Sequence, residues 1–446
     1  MDFMVHIAIK KKLVVLMLIF FGKIIVTFSE QSATKDIEEN ISEASLSHRL
    51  SNEISSFNGI KGPENKIHNF IDKWNIKGAS VAITKDERLI YAKGFGYANE
   101  EEKVKVQPKH LFRVASISKL ITSIAIMQLE KDGKLNLSDQ VFGEEGILNN
   151  PAYRQFKDSR ITDINVYHLL THSAGWDKYS GDPVFMSYMI SKKLDKDLPL
   201  NSNDVIKYTL ENRNLDFSPG SRSSYSNFGY TVLGKVIEKI TGMKYEDYVL
   251  SEVLNPLGIY DMHIGRTKFE DKYSNEVKYY SNSRYKYTYS SLNFGEQTLR
   301  QYGGNNIPLL GAAGGWVASP TEIMKLVVRI DGLQKKSDIL SESSIKNMLN
   351  IKSELKPIGW VSATNYGVWR RSGTLTGTSA LLKRDNNGFS WVVLLNTSNN
   401  LGHNFTYQID HLMTDFIQSV QTWPEYDLFS YSTPAPLFSY TEYQSE

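Results

Sequence analysis

Apolar positions along this chain recur with two periods, and the changes between them mark the elements. Residues 79–84 and 89–94 are β-branched and aromatic runs joined through Lys85-Asp86-Glu87, which predicts a hairpin. A helix at 64–74 precedes them. After about twenty residues the period lengthens: Leu120, Ile121, Ile124, Ala125, Met127 and Leu129 form an amphipathic helical run that stops at Asp132-Gly133. The pattern stays mostly helical, with long loops, to about residue 260. It is clearest at 230–240, closed by Thr241-Gly242. Residues 273–300 are tyrosine-rich and read as extended, and a helix at 321–330 follows Ser319-Pro320. Strand signals return at 379–383 and 389–395, separated by residues 384–388, and an amphipathic helix follows at 404–420.

A hairpin at the front and a hairpin with a helix at the back predict one antiparallel sheet built from both ends. The fold class is therefore α+β, with N- and C-terminal helices flanking the sheet and a mostly helical domain inserted between its halves. The segments are 1–29, a signal peptide or N-terminal anchor; 30–60, a polar linker; 61–115, the first part of the α/β domain; 116–270, the helical domain; 271–429, the second part; and 430–446, a disordered tail. The N-terminal reading rests on Lys10, Lys11 and Lys12 ahead of an apolar run at 13–21, with small residues near Ser29. It predicts a secreted or extracytoplasmic protein, or one attached to the membrane through that segment.

Composition narrows the chemistry. Net charge is +2 from 51 basic and 49 acidic residues, so no nucleic-acid footprint is visible. The absence of cysteine excludes disulfides, thiolate metal sites and a cysteine nucleophile. Asn40, Asn136, Asn396 and Asn404 fit the glycosylation acceptor pattern.

The candidate chemistry begins at Ser116 and Lys119. A serine hydroxyl is a weak nucleophile and needs a neighbour to take its proton. Residues i and i+3 share a helix face, which sets the Lys119 amine beside the Ser116 hydroxyl. The spacing also occurs at Ser32/Lys35, Ser283/Lys286, Ser343/Lys346 and Ser353/Lys356, but only Ser116 leads into a strong apolar helix. Tyr225-Ser226-Asn227 follows a Pro-Gly turn and precedes a helix. Its tyrosine suits a proton shuttle, and its asparagine suits bonds to the lysine and a substrate amide. Tyr97-Ala98-Asn99 and Tyr280-Ser281-Asn282 share that spacing without that context. Arg371, Ser372, Gly373 and Thr374, where a strand begins, can line a cleft wall, with the glycine allowing close backbone approach. His168 and His172 at i and i+4 invite a zinc reading, but no His-Glu-x-x-His pattern accompanies them, and a helix end positioning the 173–175 loop accounts for them better.

These residues resemble the serine β-lactamase and penicillin-binding peptidase superfamily, in the branch of class C β-lactamases, D-alanyl-D-alanine carboxypeptidases, related esterases and LACTB-like proteins. Gly94-Phe-Gly-Tyr-Ala, His168-Leu-Leu-Thr-His-Ser-Ala-Gly175, the 225–234 segment, Pro256-Leu-Gly258 and Gly314-Gly-Trp-Val-Ala-Ser-Pro320 extend the likeness from about Ile67 to Phe429. The resemblance implies a β-lactamase/transpeptidase-like fold and a serine hydrolase without cofactor or metal. It implies Ser116 as acylated nucleophile and Lys119 with Tyr225 as general base. It also implies Asn227, Arg371, Ser372, Gly373 and Thr374 as substrate-binding residues, the Ser116 and Thr374 N–H groups forming an oxyanion hole. The substrate would be a small molecule or peptide, cleaved at an amide or ester. Arg371 departs from the usual lysine or histidine; it stays protonated, suits a carboxylate and cannot shuttle a proton. The alternative is a catalytically weak or inactive LACTB-like scaffold of the same fold.

Overall fold

Alternating side chains decide how the central strands are buried. Strands β1 (Gly78–Lys85) and β2 (Arg88–Asn99) form the first hairpin, and β9 (Thr378–Arg384) and β10 (Phe389–Leu395) the last. β1 and β10 pair antiparallel, Ala79 opposite Leu395 and Lys85 opposite Phe389, which joins the two hairpins edge to edge. With β3 (Val104–Lys105), β7 (Ser362–Ala363) and β8 (Trp369–Leu375), the sheet runs β7-β8-β9-β10-β1-β2-β3, all antiparallel. This computed structural model describes residues 45–431, apart from 334, 351 and 352. The targeting segment, the first half of the linker and all but the first two residues of the tail lie outside the described residues. Among the described residues no helix is long and apolar enough to cross a membrane.

One face of the sheet presents Val81, Ile83, Leu381, Trp391 and Val393 to helices α1 (Lys61–Trp74) and α6 (Phe405–Ser419), whose Ile67, Phe70, Phe405, Ile409 and Phe416 complete that core. The other face presents Ala82, Ala92, Leu382 and Val392 to a larger core. That core takes in α2 (Ser118–Lys131), α3 (Asn227–Thr241), α4 (Ile307–Gly314) and α5 (Pro320–Val327). Burial of each large side chain is worth about 1.5–3 kcal/mol, and a one-residue slip would turn every one outward. The 116–270 insertion therefore shares its core with the sheet, and the chain from Leu46 onward is one unit.

Two expectations change. The run at 120–129 reads as amphipathic, yet α2 is buried from Ser118 through Met127. Its small polar residues are satisfied inside: Ser118 donates to the Ala115 carbonyl at 2.6 Å, and Thr122 to the Ala312 carbonyl at 2.6 Å. The head of this helix, just after Ser116, is held by packing around it.

Residues 46–60, read as polar linker, instead fold onto the sheet. A short helix at Leu46–Arg49 and a turn at Asn52–Ser55 bury Leu46, Leu50 and Ile60. The Ser55 hydroxyl donates to the Ala92 carbonyl at 2.9 Å and accepts the Ala92 N–H at 2.8 Å. Asn52 accepts from the Gly94 N–H at 2.8 Å and donates to the Val106 carbonyl at 2.8 Å. The polar side chains here replace a missing strand along the outer edge of β2, which explains a composition that resembles a linker. Of the acceptor-pattern asparagines, Asn396 is buried and donates to the Tyr97 carbonyl at 3.0 Å, so it is closed to modification.

Ser55→Ala leaves a buried N–H and carbonyl of Ala92 unpaired. It should lower unfolding free energy by about 1–3 kcal/mol in denaturant titration, whereas replacing a serine in a true linker would leave the midpoint unchanged.

Candidate active site

Strand β4 (Phe112–Arg113) delivers the chain to a tight turn at Ala115–Ile117 before α2 begins. β4 pairs with β6 (Trp316–Ala318), the centre of a small sheet completed by β5 (Met262–Ile264). Trp316 pins the turn from two sides: its carbonyl accepts from the Val114 N–H at 3.0 Å, and its N–H donates to the Ser118 hydroxyl at 3.2 Å. Ala115 takes φ +47°, a left-handed conformation that alanine adopts only under constraint. Ser116 follows at once and is partly exposed, the one residue of the turn that faces outward.

Lys119 is fully buried, with Nζ 3.4 Å from the Ser116 Oγ. It donates to the Asn227 Oδ1 at 2.7 Å and to the Ala313 carbonyl. The other Ser-x-x-Lys pairs among the described residues all have exposed lysines, 286, 346 and 356. Burial pulls the Lys119 pKa down to about 8; the nearby Tyr225 works against that, and the Arg371 charge adds to it. The Tyr225 phenol donates to the Ser116 Oγ at 2.6 Å. Burial alone would raise the Tyr225 pKa, but the positive charges of Lys119 and Arg371 outweigh it and bring it below the ordinary phenol value. Hydroxyl, phenol and amine thus form a compact set in which either neighbour can take the serine proton.

Arg371 on β8 reaches the same place from the far end of the chain. It is 1% exposed; its Nε donates to the Ser116 carbonyl at 2.6 Å, and its Nη2 lies 3.4 Å from the Tyr225 hydroxyl. The side chain expected to meet a substrate carboxylate is instead turned inward, because strand parity puts Trp369, Arg371 and Gly373 on the face of the larger core. Gly373 sits so close to the Ser116 turn that a Cβ there would lie 2.2 Å from the Val114 carbonyl oxygen and 3.1 Å from the Ser116 nitrogen. This contact lays β8 against Ser116. The same parity sends Ser372 to the opposite face. It stands across from Leu381, which packs on the α1 and α6 side, and lines a depression with Arg370, His403 and Tyr407. Ser372 is therefore not gathered with the others. Thr374 follows Gly373 on the strand, partly exposed.

Two residues were not read as parts of the site. His172, at φ +58°, packs at a tilt with its ring centre 4.6 Å from that of Tyr225 and 5.1 Å from that of Tyr230, and its Nδ1 accepts from the Ser226 N–H at 3.2 Å. Burial, then the Lys119 and Arg371 charges, hold it well below its ordinary pKa, so it stays neutral. His168 uses its Nδ1 on the Asn165 N–H, capping a short helix. The two histidines of the zinc reading thus serve different backbone groups. The second residue is Asp182, whose carboxylate meets Asn227. It lies in a Gly-Asp-Pro loop without periodicity, and only the fold reveals it.

A Beta-lactamase family model matches residues 64–408, more than three quarters of the chain. The chain belongs to the β-lactamase family. Members of this family are serine hydrolases and transpeptidase-like proteins. This β-lactamase-family chain is 28% identical over 207 residues to Protein flp of Staphylococcus aureus, covering 46% of this chain and 39% of flp. It is 28% identical over 264 residues to the teichoic acid D-alanine hydrolase of Staphylococcus aureus, covering 58% of this chain and 56% of that protein. It therefore spans less than two thirds of the length of either relative. The octameric penicillin-binding protein homologue from Pyrococcus abyssi superposes with a TM-score of 0.61 at 25% identity, over 80% of this chain and 77% of that one.

Gly373→Ala should separate β8 from the Ser116 turn. A displacement of about 1 Å at such a site costs about 10²-fold in rate, so fluorophosphonate labelling of Ser116 should slow by that order while the far-ultraviolet circular dichroism spectrum is retained.

Proposed function

We propose that this chain is a serine hydrolase that forms an acyl-enzyme on Ser116, with Tyr225 and Lys119 as its general base, and releases the acyl group to water. The observation that carries this reading is the 2.6 Å contact between the Tyr225 phenol and the Ser116 hydroxyl, beside a buried lysine held near pKa 8. With one proton fewer on the Tyr225–Lys119 pair, the serine O–H donates to the phenolate. Oγ then attacks the substrate carbonyl carbon, and the proton passes to Tyr225. The oxyanion forms against the N–H groups of Ser116 and Thr374. Collapse breaks the bond to the leaving amine or alcohol, which takes the proton from Tyr225. Water repeats the sequence on the acyl-serine.

The substrate is a small amide, peptide or ester. The D-alanine hydrolase among its relatives supports a D-alanyl group as the acyl part. Commitment of Arg371 to the Ser116 carbonyl favours an ester or amide over a substrate ending in a free carboxylate. Export directed by the lysine-headed apolar segment at the N-terminus belongs to the same proposal.

Two measurements test it. Ser116→Ala should abolish fluorophosphonate labelling and lower p-nitrophenyl acetate hydrolysis by at least about 10³-fold; hydrolysis that survives would overturn the assignment. The reactive state has lost a proton, so kcat/KM should rise with pH and level off above about 8, the value to which burial pulls Lys119. Arg371 lowers both Lys119 and Tyr225. Arg371→Gln removes that charge and should therefore move the acid limb to higher pH.

A further inference from the structure

The Asn227 side chain has an acceptor end and a donor end, and the site uses both. Oδ1 accepts from Lys119 at 2.7 Å, and Nδ2 donates to the Asp182 Oδ2 at 3.2 Å. That carboxylate oxygen also accepts from the backbone N–H of Asn227 at 2.6 Å and of Phe228 at 3.4 Å, at the start of the fifteen-residue helix α3. The Asp182 Oδ1 accepts from the Val184 N–H at 3.2 Å, which anchors the loop that carries it. An ionised carboxylate accepts and never donates. A half-turn of the Asn227 amide would set Nδ2 against the Lys119 ammonium and Oδ1 against the carboxylate, two repulsive contacts in place of two attractive ones. One rotamer is therefore selected from the far side of the amide.

We propose that Asp182 is a positioning residue of the hydrolytic reaction: its carboxylate fixes the orientation of the Asn227 amide and through it holds Lys119 against Ser116. The inference rests on the reading of Ser116 as nucleophile. Asp182 touches no reacting atom, and its influence passes through Asn227. The charged groups that shift Lys119 are Tyr225, Arg371 and Asp182, and the neutral Tyr230 ring and His172 face the same pocket. Burial has the largest effect there. Asp182 raises the Lys119 pKa while Arg371 lowers it, so the carboxylate and the guanidinium oppose each other across the amine.

The test uses the full chain, a fluorophosphonate probe and p-nitrophenyl acetate, with wild type, S116A, D182N, D182A, N227A and the D182A/N227A double variant. D182A should lower the labelling rate by about tenfold, and should cost almost nothing further in the N227A background. D182N keeps the shape and an acceptor but removes the charge. It should shift the acid limb of kcat/KM to lower pH, opposite in direction to Arg371→Gln. Equal losses from D182A in both backgrounds would make Asp182 a helix cap with no part in the site and overturn the inference. An unshifted pH profile in D182N would do the same. Should wild type itself resist labelling, or S116A label as well as wild type, the serine reading fails and the inference falls with it. Labelling confined to Ser116, with D182A and D182N both behaving as wild type, removes the Asp182 inference alone.

Discussion

A lysine ammonium with no exposed surface is costly to place in a protein, and the site is organised around that cost. Desolvation favours the neutral amine, and the groups around it set how far that preference goes. Lys119 finds its acceptors on three separate elements: the Ser116 turn, the first residue of α3, and Ala313 near the end of α4. The last of these is available because the final carbonyls of a helix have no partner within it, and a helix C-terminus attracts a cation. None of the three elements can move without leaving the amine short of a partner. The position of the lysine therefore ties together Ser116, Asn227 and Ala313.

The second cation completes the electrostatics. Arg371 approaches the Tyr225 hydroxyl from the sheet side while Lys119 lies 4.9 Å from the centre of the same ring. A phenol between two positive charges loses its proton more readily than one in water, even when buried. Arginine suits this role because it stays charged and its planar head can bond a backbone carbonyl while facing a ring. His172, neutral and packed at a tilt against Tyr225, adds shape without adding a third charge.

Much of this arrangement was legible from residue patterns, and the failures have physical causes. The terminal hairpins were clear because β-branched runs flank short polar turns; Asp86 and Glu87 make the first turn with positive φ although neither is glycine. Ser116 stood out from the other Ser-x-x-Lys pairs through the apolar helix behind it. The degree of burial of α2 was hidden, because Ser118 and Thr122 look solvated until their backbone partners are known. The direction of Arg371 and Ser372 was hidden for another reason. A strand's parity is fixed by its register against neighbours, and no local pattern supplies that. Asn52 and Ser55 were misread because side chains that bond a sheet edge have the same composition as side chains that bond water.

The pairing of β1 with β10 also has a consequence for timing. Ala79 cannot meet Leu395 until residue 395 has left the ribosome, and closing so long a loop is slow relative to local folding. Arg371 and Gly373, which lie on a strand joined to that pair through β9, arrive equally late. Ser116 and Lys119 are synthesised early but remain an ordinary helix start until the last strands dock. The cluster around Ser116 is thus a property of the finished molecule, and a chain released short of residue 395 would carry Ser116 and Lys119 without their surroundings.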